Sequence, residues 1–315
     1  MSEIDGPAVS AALGVAGLRP TGSALLLATG WESSVWRCPT AAGEVAVRVY
    51  APGLDPDRAA AEAVAMRLLE RAAYPAPLVF HFEPGRHVLG SPFLVMDYLP
   101  GGTLRDSGRT PETVGAETAR LMAELHRLDP ERFGDRPEDP LSWLGEADRR
   151  VTEAFPGFEP VVAWIDERRG SIQARCTATH LDFHPLNILL DADGEPWVID
   201  WTSFRLTDPR LDVTWTELLG EMYGDEPFTS AFRAVYAEEM GTPEDLDFFR
   251  VVTAVRRLTD ILFFLTPEGS AVVQDVGAVL EDAHRLTVAQ AWILDATGVA
   301  VPEVEALLDS LVDEG

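Results

Sequence analysis

The sequence predicts an α+β fold in which a strand-rich first part precedes a mainly helical remainder. In the first part, apolar residues recur at the spacing of strands; in Gly43–Tyr50, for example, three valines alternate with Ala46 and Arg48. After the breaker at residues 100–102, apolar residues recur at helical spacing instead. The chain has 315 residues, 46% of them hydrophobic, which is enough for two substantial cores. We therefore expect two domains, 1–100 and 101–315.

The predicted elements follow the chain in order. Strands are expected at 24–28, 34–37, 43–50 and 93–99. A helix is expected to start with Asp55 as its N-cap, Pro56 in its first turn and Asp57 near the positive end of its dipole. Beyond the breaker, the pattern predicts helices at 112–128, 140–155, 161–174, 211–223, 228–240, 243–265, 271–294 and 301–312.

Glu62 lies on the apolar stripe of the first predicted helix. Burying a carboxylate alone is costly, so Glu62 needs a cationic partner if this stripe faces the core. Arg48, on the strand before the helix, is the candidate. The alternative is that Glu62 lies at the edge of the stripe, in water.

The segment from residue 179 to residue 201 concentrates oxygen ligands. Two short apolar runs flank the Asp193-Gly194 step, a strong hairpin signal, and their pairing returns Asp200 to the side of Asn187. Asp182 lies just upstream, on a loop that Pro185 prevents from continuing as a helix. Two carboxylates and one amide are the hard oxygen donors that Mg²⁺ prefers. One carboxylate can instead accept a proton.

Other interpretations of this segment remain. His180, Asp182 and His184 could together hold zinc or iron in a metal-dependent hydrolase, because imidazole and carboxylate suit those metals. The segment could also be a surface hairpin with polar ends, or belong to a nucleotide-binding module without catalytic activity.

At residues 180–187 and 198–200, the sequence resembles the aminoglycoside phosphotransferase family, which includes choline kinase-like small-molecule kinases. The resemblance implies a bilobal protein-kinase-like fold with a small antiparallel-sheet N-lobe and a larger, mainly helical C-lobe. It implies ATP- and Mg²⁺-dependent phosphorylation of a small-molecule hydroxyl, with Asp182 as catalytic base and Asn187 and Asp200 as metal ligands. His180 would be a structural residue of the loop, and Asp212 would brace that loop.

The same resemblance assigns a nucleotide site to the first domain. Arg48 stands where these kinases carry a cation for the α- and β-phosphates, paired with Glu62, and Ala46 would leave room for the adenine. Residues 29–33 would cover the phosphates, although they contain a single glycine. GTP could replace ATP. The remaining predicted nucleotide contacts are Ser33 and Ser34 at the phosphates, and Asp97, Tyr98 and Leu99 at the adenine edge.

The net charge of the chain limits the kinds of molecule that it is expected to bind. The formal net charge of −27 argues against nucleic acid or an anionic membrane as a partner. It suits a cationic acceptor such as an aminoglycoside, and acidic residues are dense from Glu221 onwards. A generally acidic proteome or solvated helix faces would give the same excess. Macrolide, choline-like and sugar acceptors therefore stay open.

Compartment is indicated by cysteine usage and by the N-terminus. Cys38 and Cys176 lie in different predicted domains and imply no disulfide framework. The first residues are acidic, and no apolar run reaches membrane-spanning length. We expect a cytoplasmic protein.

Overall fold

The computed structural model describes residues 5–29, 33–51, 56–270 and 285–313. Three predicted features therefore lie outside the described residues: most of the phosphate-covering loop, the Asp55 cap, and the first part of the helix predicted at 271–294. The chain divides into two compact units. Among the described residues, the sheet unit comprises those up to Ser107 and Leu186–Phe204, and the helical unit comprises Gly108–Pro185, Arg205–Ser270 and the residues from Arg285 onwards. The predicted α+β class is confirmed.

The strands of the described residues are short. They are β1 Leu25–Thr29, β2 Ser33–Thr40, β3 Gly43–Tyr50, β4 Val79–Glu83, β5 Phe93–Asp97, β6 Thr177–Thr179, β7 Ile188–Leu190, β8 Pro196–Val198 and β9 Arg205–Thr207.

The helices dominate after residue 107. They are α1 Gly6–Ala12, α2 Pro56–Arg71, α3 Pro111–Arg127, α4 Leu144–Ala154, α5 Glu159–Arg169, α6 Arg210–Met222, α7 Glu226–Met240, α8 Leu246–Phe264, α9 Pro267–Ser270, α10 Leu286–Thr297 and α11 Pro302–Asp313.

The sheet unit is built on a sheet with strand order β1-β2-β3-β5-β4, in which all described pairings are antiparallel. β3 lies at its centre and has both faces buried. The three valines of β3 belong to one buried cluster with Val9 of α1 and with Leu13, the C-cap residue that follows α1. The other face of β3 carries Arg48 and Tyr50, which contact Glu62 of α2.

The hairpin of β7 and β8 belongs to the sheet unit, and residues 101–104 hold it there. The backbone N–H of Leu190 donates to the carbonyl of Gly102, and Leu104 donates to the carbonyl of Ile188. A Cβ at position 101 would lie 1.8 Å from the Leu190 carbonyl oxygen. Glycine is therefore required at position 101 for this close approach.

The helical unit packs α3 against α7 at close range. A Cβ at Gly115 would lie 2.3 Å from the carbonyl oxygen of Phe228, so the missing side chain lets the two backbones approach. α6 is buried along most of its length and packs against α8. β6 and β9 pair antiparallel, with Thr177 opposite Thr207. Among the described residues, no helix is both long and apolar enough to cross a membrane.

Candidate functional site

The β7–β8 hairpin brings Asn187 and Asp200 to its open end. Ile188 pairs with Val198, and the N–H of Ile199 donates to the carbonyl of Asn187 at 2.9 Å. Asp200 is the next residue and has left-handed backbone angles, with φ 66° and ψ 64°. A left-handed aspartate is uncommon and marks a position where the surrounding structure fixes the backbone. An amide and a carboxylate thus lie at one end of one hairpin.

Asp200 is bound to Arg48 within the same unit. Nη2 of Arg48 donates to Oδ1 of Asp200 at 2.8 Å, and the hydroxyl of Thr202 donates to the same oxygen at 2.9 Å. The Arg48 side chain is 7% exposed, whereas that of Asp200 is 33% exposed. Arg48 is therefore a buried cation, and its partner Asp200 is partly exposed to solvent.

Glu62 lies on the other side of Arg48 and is fully buried. Its Oε1 is 3.5 Å from Nη1 of Arg48, so the structure brings the predicted pair together. The hydroxyl of Tyr50 donates to Oε2 at 2.6 Å, and the N–H of Trp201 donates to Oε1 at 3.2 Å. These two donors were not predicted from the sequence. The Tyr50 contact could have been, because Tyr50 lies two residues after Arg48 and therefore on the same face of β3.

Electrostatics in this group favours the charged arginine. Burial lowers the pKa of Arg48, but the carboxylates of Asp200 and Glu62 outweigh that effect and raise the pKa above its usual value. Burial raises the pKa of Glu62, while the attraction of Arg48 and the donors Tyr50 and Trp201 oppose the rise. Arg48 is thus a permanent cation held between two carboxyl groups.

Asp182 belongs to the helical unit and is held by α6. The indole Nε1–H of Trp215 donates to its Oδ1 at 2.8 Å, and Nε2 of His184 lies 3.5 Å from the same oxygen. Burial raises the pKa of Asp182, but His184, Arg256 and His180 lower it more, and the net pKa lies well below its usual range. The carboxyl is therefore ionised at neutral pH.

Asp212 braces the backbone next to Asp182. The fully buried carboxylate accepts the N–H of His180 at 2.9 Å and the N–H of Leu181 at 2.5 Å. Leu181 has a left-handed φ of 62°. Nε2 of His126 lies 3.1 Å from the same carboxylate. Asp212 thus holds the loop in an uncommon conformation.

The histidines of this loop do not form the alternative metal site. The His180 side chain is fully buried, its Nδ1 accepts the N–H of Asp182 at 3.2 Å, and its ring packs on Phe183. Within the described ranges, no cluster of three His, Cys, Asp or Glu side chains could hold a metal. The described residues therefore offer no ligand cluster to support the zinc or iron interpretation.

The other predicted nucleotide residues all lie in the sheet unit. Ser33 and Ala46 are buried, and the hydroxyl of Ser34 accepts the indole N–H of Trp36 at 3.0 Å. Their contacts with a nucleotide stay predictions. At the end of β5, the carboxylate of Asp97 accepts the N–H of Leu78 at 2.9 Å, the Tyr98 ring lies 5.3 Å from the guanidinium of Arg37, and Leu99 follows.

The acidic residues near Glu221 have internal partners. Glu221 binds the guanidinium of Arg233 at 2.5 Å and the indole N–H of Trp292 at 2.9 Å. Buried Glu217 pairs with Arg233 at 3.0 Å and with Arg250 at 3.1 Å. Two acids on this face of α6 therefore hold helices together, and Glu221, the first residue of the dense acidic region, has partners within the protein.

Comparison with known proteins identifies the family. A family model described as "Phosphotransferase enzyme family" (APH) matches residues 23–251, a span that contains Arg48, Glu62, Asp182, Asn187 and Asp200. The chain belongs to this family. The resemblance predicted from residues 180–200 is thus confirmed, and so is the protein-kinase-like fold class.

Relatives of this phosphotransferase-family chain extend the comparison. The structure of spectinomycin phosphotransferase APH(9)-Ia, in complex with ADP and spectinomycin, aligns with a TM-score of 0.62 at 14% identity, over 91% of this chain and 97% of that one. Aminoglycoside phosphotransferase APH(4)-Ia aligns with a TM-score of 0.66 at 15% identity, over 91% and 98%. The mouse (Mus musculus) acyl-CoA dehydrogenase family member 10 is 25% identical over 207 residues, 59% of this chain. The match covers 19% of that relative's length.

Proposed function

We propose that this chain is a kinase that transfers the γ-phosphoryl group of ATP, with Mg²⁺, to a hydroxyl of a small molecule. The observation that carries the proposal is the Arg48 guanidinium, buried between the carboxyl groups of Glu62 and Asp200. An arginine in this setting stays charged and keeps its orientation, which is what a phosphate-binding cation needs. Its buried Nε–H has no hydrogen-bond partner among the described residues.

In this proposal the sheet unit binds the nucleotide. Arg48, oriented by Glu62, contacts the α- and β-phosphates, and Ala46 leaves room for the adenine. Ser33 and Ser34 contact the phosphates, and the backbone at residues 97–99 binds the adenine edge. The likeness to a phosphotransferase bound to ADP supports a nucleotide ligand. GTP remains a second nucleotide to test.

Asn187 and Asp200 would hold the metal ion. Their donors are one amide and one carboxylate at the open end of the same hairpin, the chemistry that suits a hard cation such as Mg²⁺. A bound Mg²⁺ neutralises negative charge on the phosphates. Arg48 restricts the Asp200 carboxylate by binding Oδ1.

Asp182 is the proposed base. The depressed pKa of Asp182 keeps it unprotonated at neutral pH, so its carboxylate can accept the proton of the acceptor hydroxyl. As the acceptor oxygen bonds to the γ-phosphorus, the bond from that phosphorus to the leaving ADP oxygen breaks. The proton passes to Asp182 and then to solvent. Positioning and charge neutralisation supply most of the acceleration in this reaction class.

The acceptor is proposed as a small-molecule alcohol in the cytoplasm, with an aminoglycoside-like cation as the first candidate. The net charge of −27 and the likeness to APH(4)-Ia support that choice. The internal pairing of Glu221 weakens it. Macrolide, choline-like and sugar alcohols are the competing acceptors.

The test is ATP consumption with and without Mg²⁺ against an aminoglycoside, macrolide, amino-alcohol and sugar panel. Once an acceptor is found, Asp182→Ala should lose transfer while nucleotide affinity, measured by calorimetry, stays within about threefold, because Asp182 lies outside the sheet unit. Wild-type turnover by Asp182→Ala contradicts the assignment of the base. Tight ATP binding without turnover on any member of the panel favours the alternative of a nucleotide-binding module.

A further inference from the structure

Two side chains of the helical unit converge on the loop that carries the proposed base. Trp215 of α6 donates its indole N–H to Oδ1 of Asp182 at 2.8 Å. The guanidinium of Arg256, from α8, lies 4.3 Å from the centroid of the Trp215 ring. Nη1 of Arg256 also donates to the carbonyl of Leu181. One arginine therefore contacts both the loop backbone and the side chain that holds the carboxylate.

The backbone at Leu181 needs such support. Its φ of 62° is left-handed, a region that a leucine rarely adopts. The N–H of Leu181 is fixed by Asp212, and its carbonyl is fixed by Arg256. Because both sides of one strained residue are bound, the direction in which the chain enters Asp182 is determined.

We propose that Trp215 and Arg256 are positioning residues that hold the base of the reaction, Trp215 through its carboxylate and Arg256 through the preceding peptide. This inference rests on the proposed function, because it requires Asp182 to be the base. Trp215 is 4% exposed, and Arg256 covers its ring. The ring is thus unsuited to stacking on an acceptor and suited to a fixed hydrogen bond.

Within the described part of the chain, charged groups around the Asp182 carboxylate come from its own loop and from α8. His180 and His184 are on its own loop, and Arg256 approaches from α8; together they lower the pKa of Asp182. Among the described residues, Oδ2 of Asp260 also lies 3.9 Å from Nε of Arg256. Loss of Arg256 or of the Trp215 donor removes a group that favours the ionised base.

The decisive variant is Trp215→Phe, which deletes the N–H and keeps an aromatic ring under Arg256. We expect kcat to fall by about 10- to 100-fold, since a misplaced catalytic group costs up to about 100-fold. The KM for ATP should stay within about twofold, because the proposed nucleotide residues belong to the other unit. The acid limb of the kcat–pH profile should move to higher pH, because the carboxylate loses a donor.

Arg256 is tested by a graded series. Arg256→Met removes charge and donor, Arg256→Gln keeps a planar donor without charge, and Arg256→Lys keeps charge and a donor. We expect kcat to be lowest in Arg256→Met, higher in Arg256→Gln and highest of the three in Arg256→Lys. In Arg256→Met the acid limb of the kcat–pH profile should also move to higher pH. A purely structural role would lower Tm and active fraction without moving that limb.

The chain provides a matched control in Trp292. Its indole N–H also donates to a carboxylate, that of Glu221, at 2.9 Å, and Arg250 lies 5.4 Å from its ring centroid. Trp292→Phe removes the same kind of hydrogen bond in the same unit. It should leave kcat and the pH profile unchanged.

The outcomes separate this proposal from the proposed function. If Asp182→Asn is inactive and Trp215→Phe has wild-type kcat and pH profile, the positioning role is wrong and the base assignment stands. If Asp182→Asn turns over normally, the base assignment itself is wrong. An equal loss of kcat in Trp292→Phe also contradicts the positioning role. If Arg256→Met fails to fold, as judged by circular dichroism, Trp215→Phe and Arg256→Lys still test the positioning role.

Discussion

Tyr50 provides the sharpest test of the buried charge group, through the variant Tyr50→Phe. Its hydroxyl donates to Glu62 at 2.6 Å, and both side chains are about 1% exposed, so water cannot replace the lost donor. Phenylalanine keeps the ring and its packing. The change therefore removes one hydrogen bond and little else.

The expected loss follows from the type of bond. A hydrogen bond to a charged group contributes about 1.5–3 kcal/mol, so we expect the free energy of unfolding to fall by about 2 kcal/mol. Glu62 keeps Arg48 and the Trp201 N–H, which limits the loss. The less restrained Glu62 should orient Arg48 less well, so the KM for ATP should rise several-fold.

The assay is urea unfolding followed by tryptophan fluorescence, at several pH values. With an m-value of about 2–3 kcal/mol per M, the midpoint should fall by roughly 0.7–1 M. Burial, with the Glu62 charge adding to it, raises the pKa of Tyr50 far above its usual value of 10.0. A raised tyrosine pKa gives stability that is fully present below the unfolded pKa and is lost as pH rises above it. The difference between wild type and variant should thus be constant from pH 6 to 9 and shrink only above about pH 10.

Tyr98→Phe is the control, because the described contact of Tyr98 is with its ring, which lies near Arg37. It should change stability by less than about 0.5 kcal/mol. A midpoint for Tyr50→Phe within error of wild type, or a difference that already disappears at pH 8, would refute the reasoning that this bond joins a neutral donor to a buried carboxylate.

Three further predictions concern other parts of the chain. Asp212→Asn should lower stability by about 3 kcal/mol and reduce kcat, because one amide oxygen cannot replace a buried carboxylate that binds two backbone N–H groups; chemical denaturation and steady-state kinetics measure both. Gly101→Val should destabilise the sheet unit by more than about 2 kcal/mol, because its Cβ would collide with the Leu190 carbonyl, whereas Gly102→Ala, with nothing within 4 Å, should be tolerated; thermal unfolding compares the two. Burial raises the pKa of Asp148 to about 6 despite Arg169, so its contribution to stability falls as pH rises from about 4 to 6. Asp148→Asn should therefore gain stability relative to wild type across that window, and equal pH dependence of the two unfolding curves would contradict the shift.

Local patterns predicted several elements well. β3 begins and ends at the predicted residues, and α3 lies within one residue of its predicted bounds. The Asp193-Gly194 hairpin forms, so Asn187 and Asp200 lie together as predicted. These features depend on residues close in the chain, whose periodicity and turn chemistry are visible in the sequence.

Elements that depend on distant partners were missed. β4 was not predicted, because Phe80 and its neighbours form an edge strand that is defined by pairing with β5. β6 and β9 were missed for the same reason: each has three residues, and they are 26 residues or more apart. Short strands have too little pattern of their own to be recognised.

The sequence by itself determined the family, the α+β class and the residue types of the proposed chemistry, because spacing within a loop and a hairpin fixes which oxygen donors are neighbours. Only the tertiary structure decided how those groups are held. Glu62 is bound by the Tyr50 hydroxyl and by the backbone N–H of Trp201, which is 139 residues away in the chain. Asp182 is bound by the indole N–H of Trp215, which is 33 residues away. The same folding pairs Glu221 with Arg233, which the count of acids could not show. Burial makes the contacts of Glu62 necessary, and burial is a property of the packed chain.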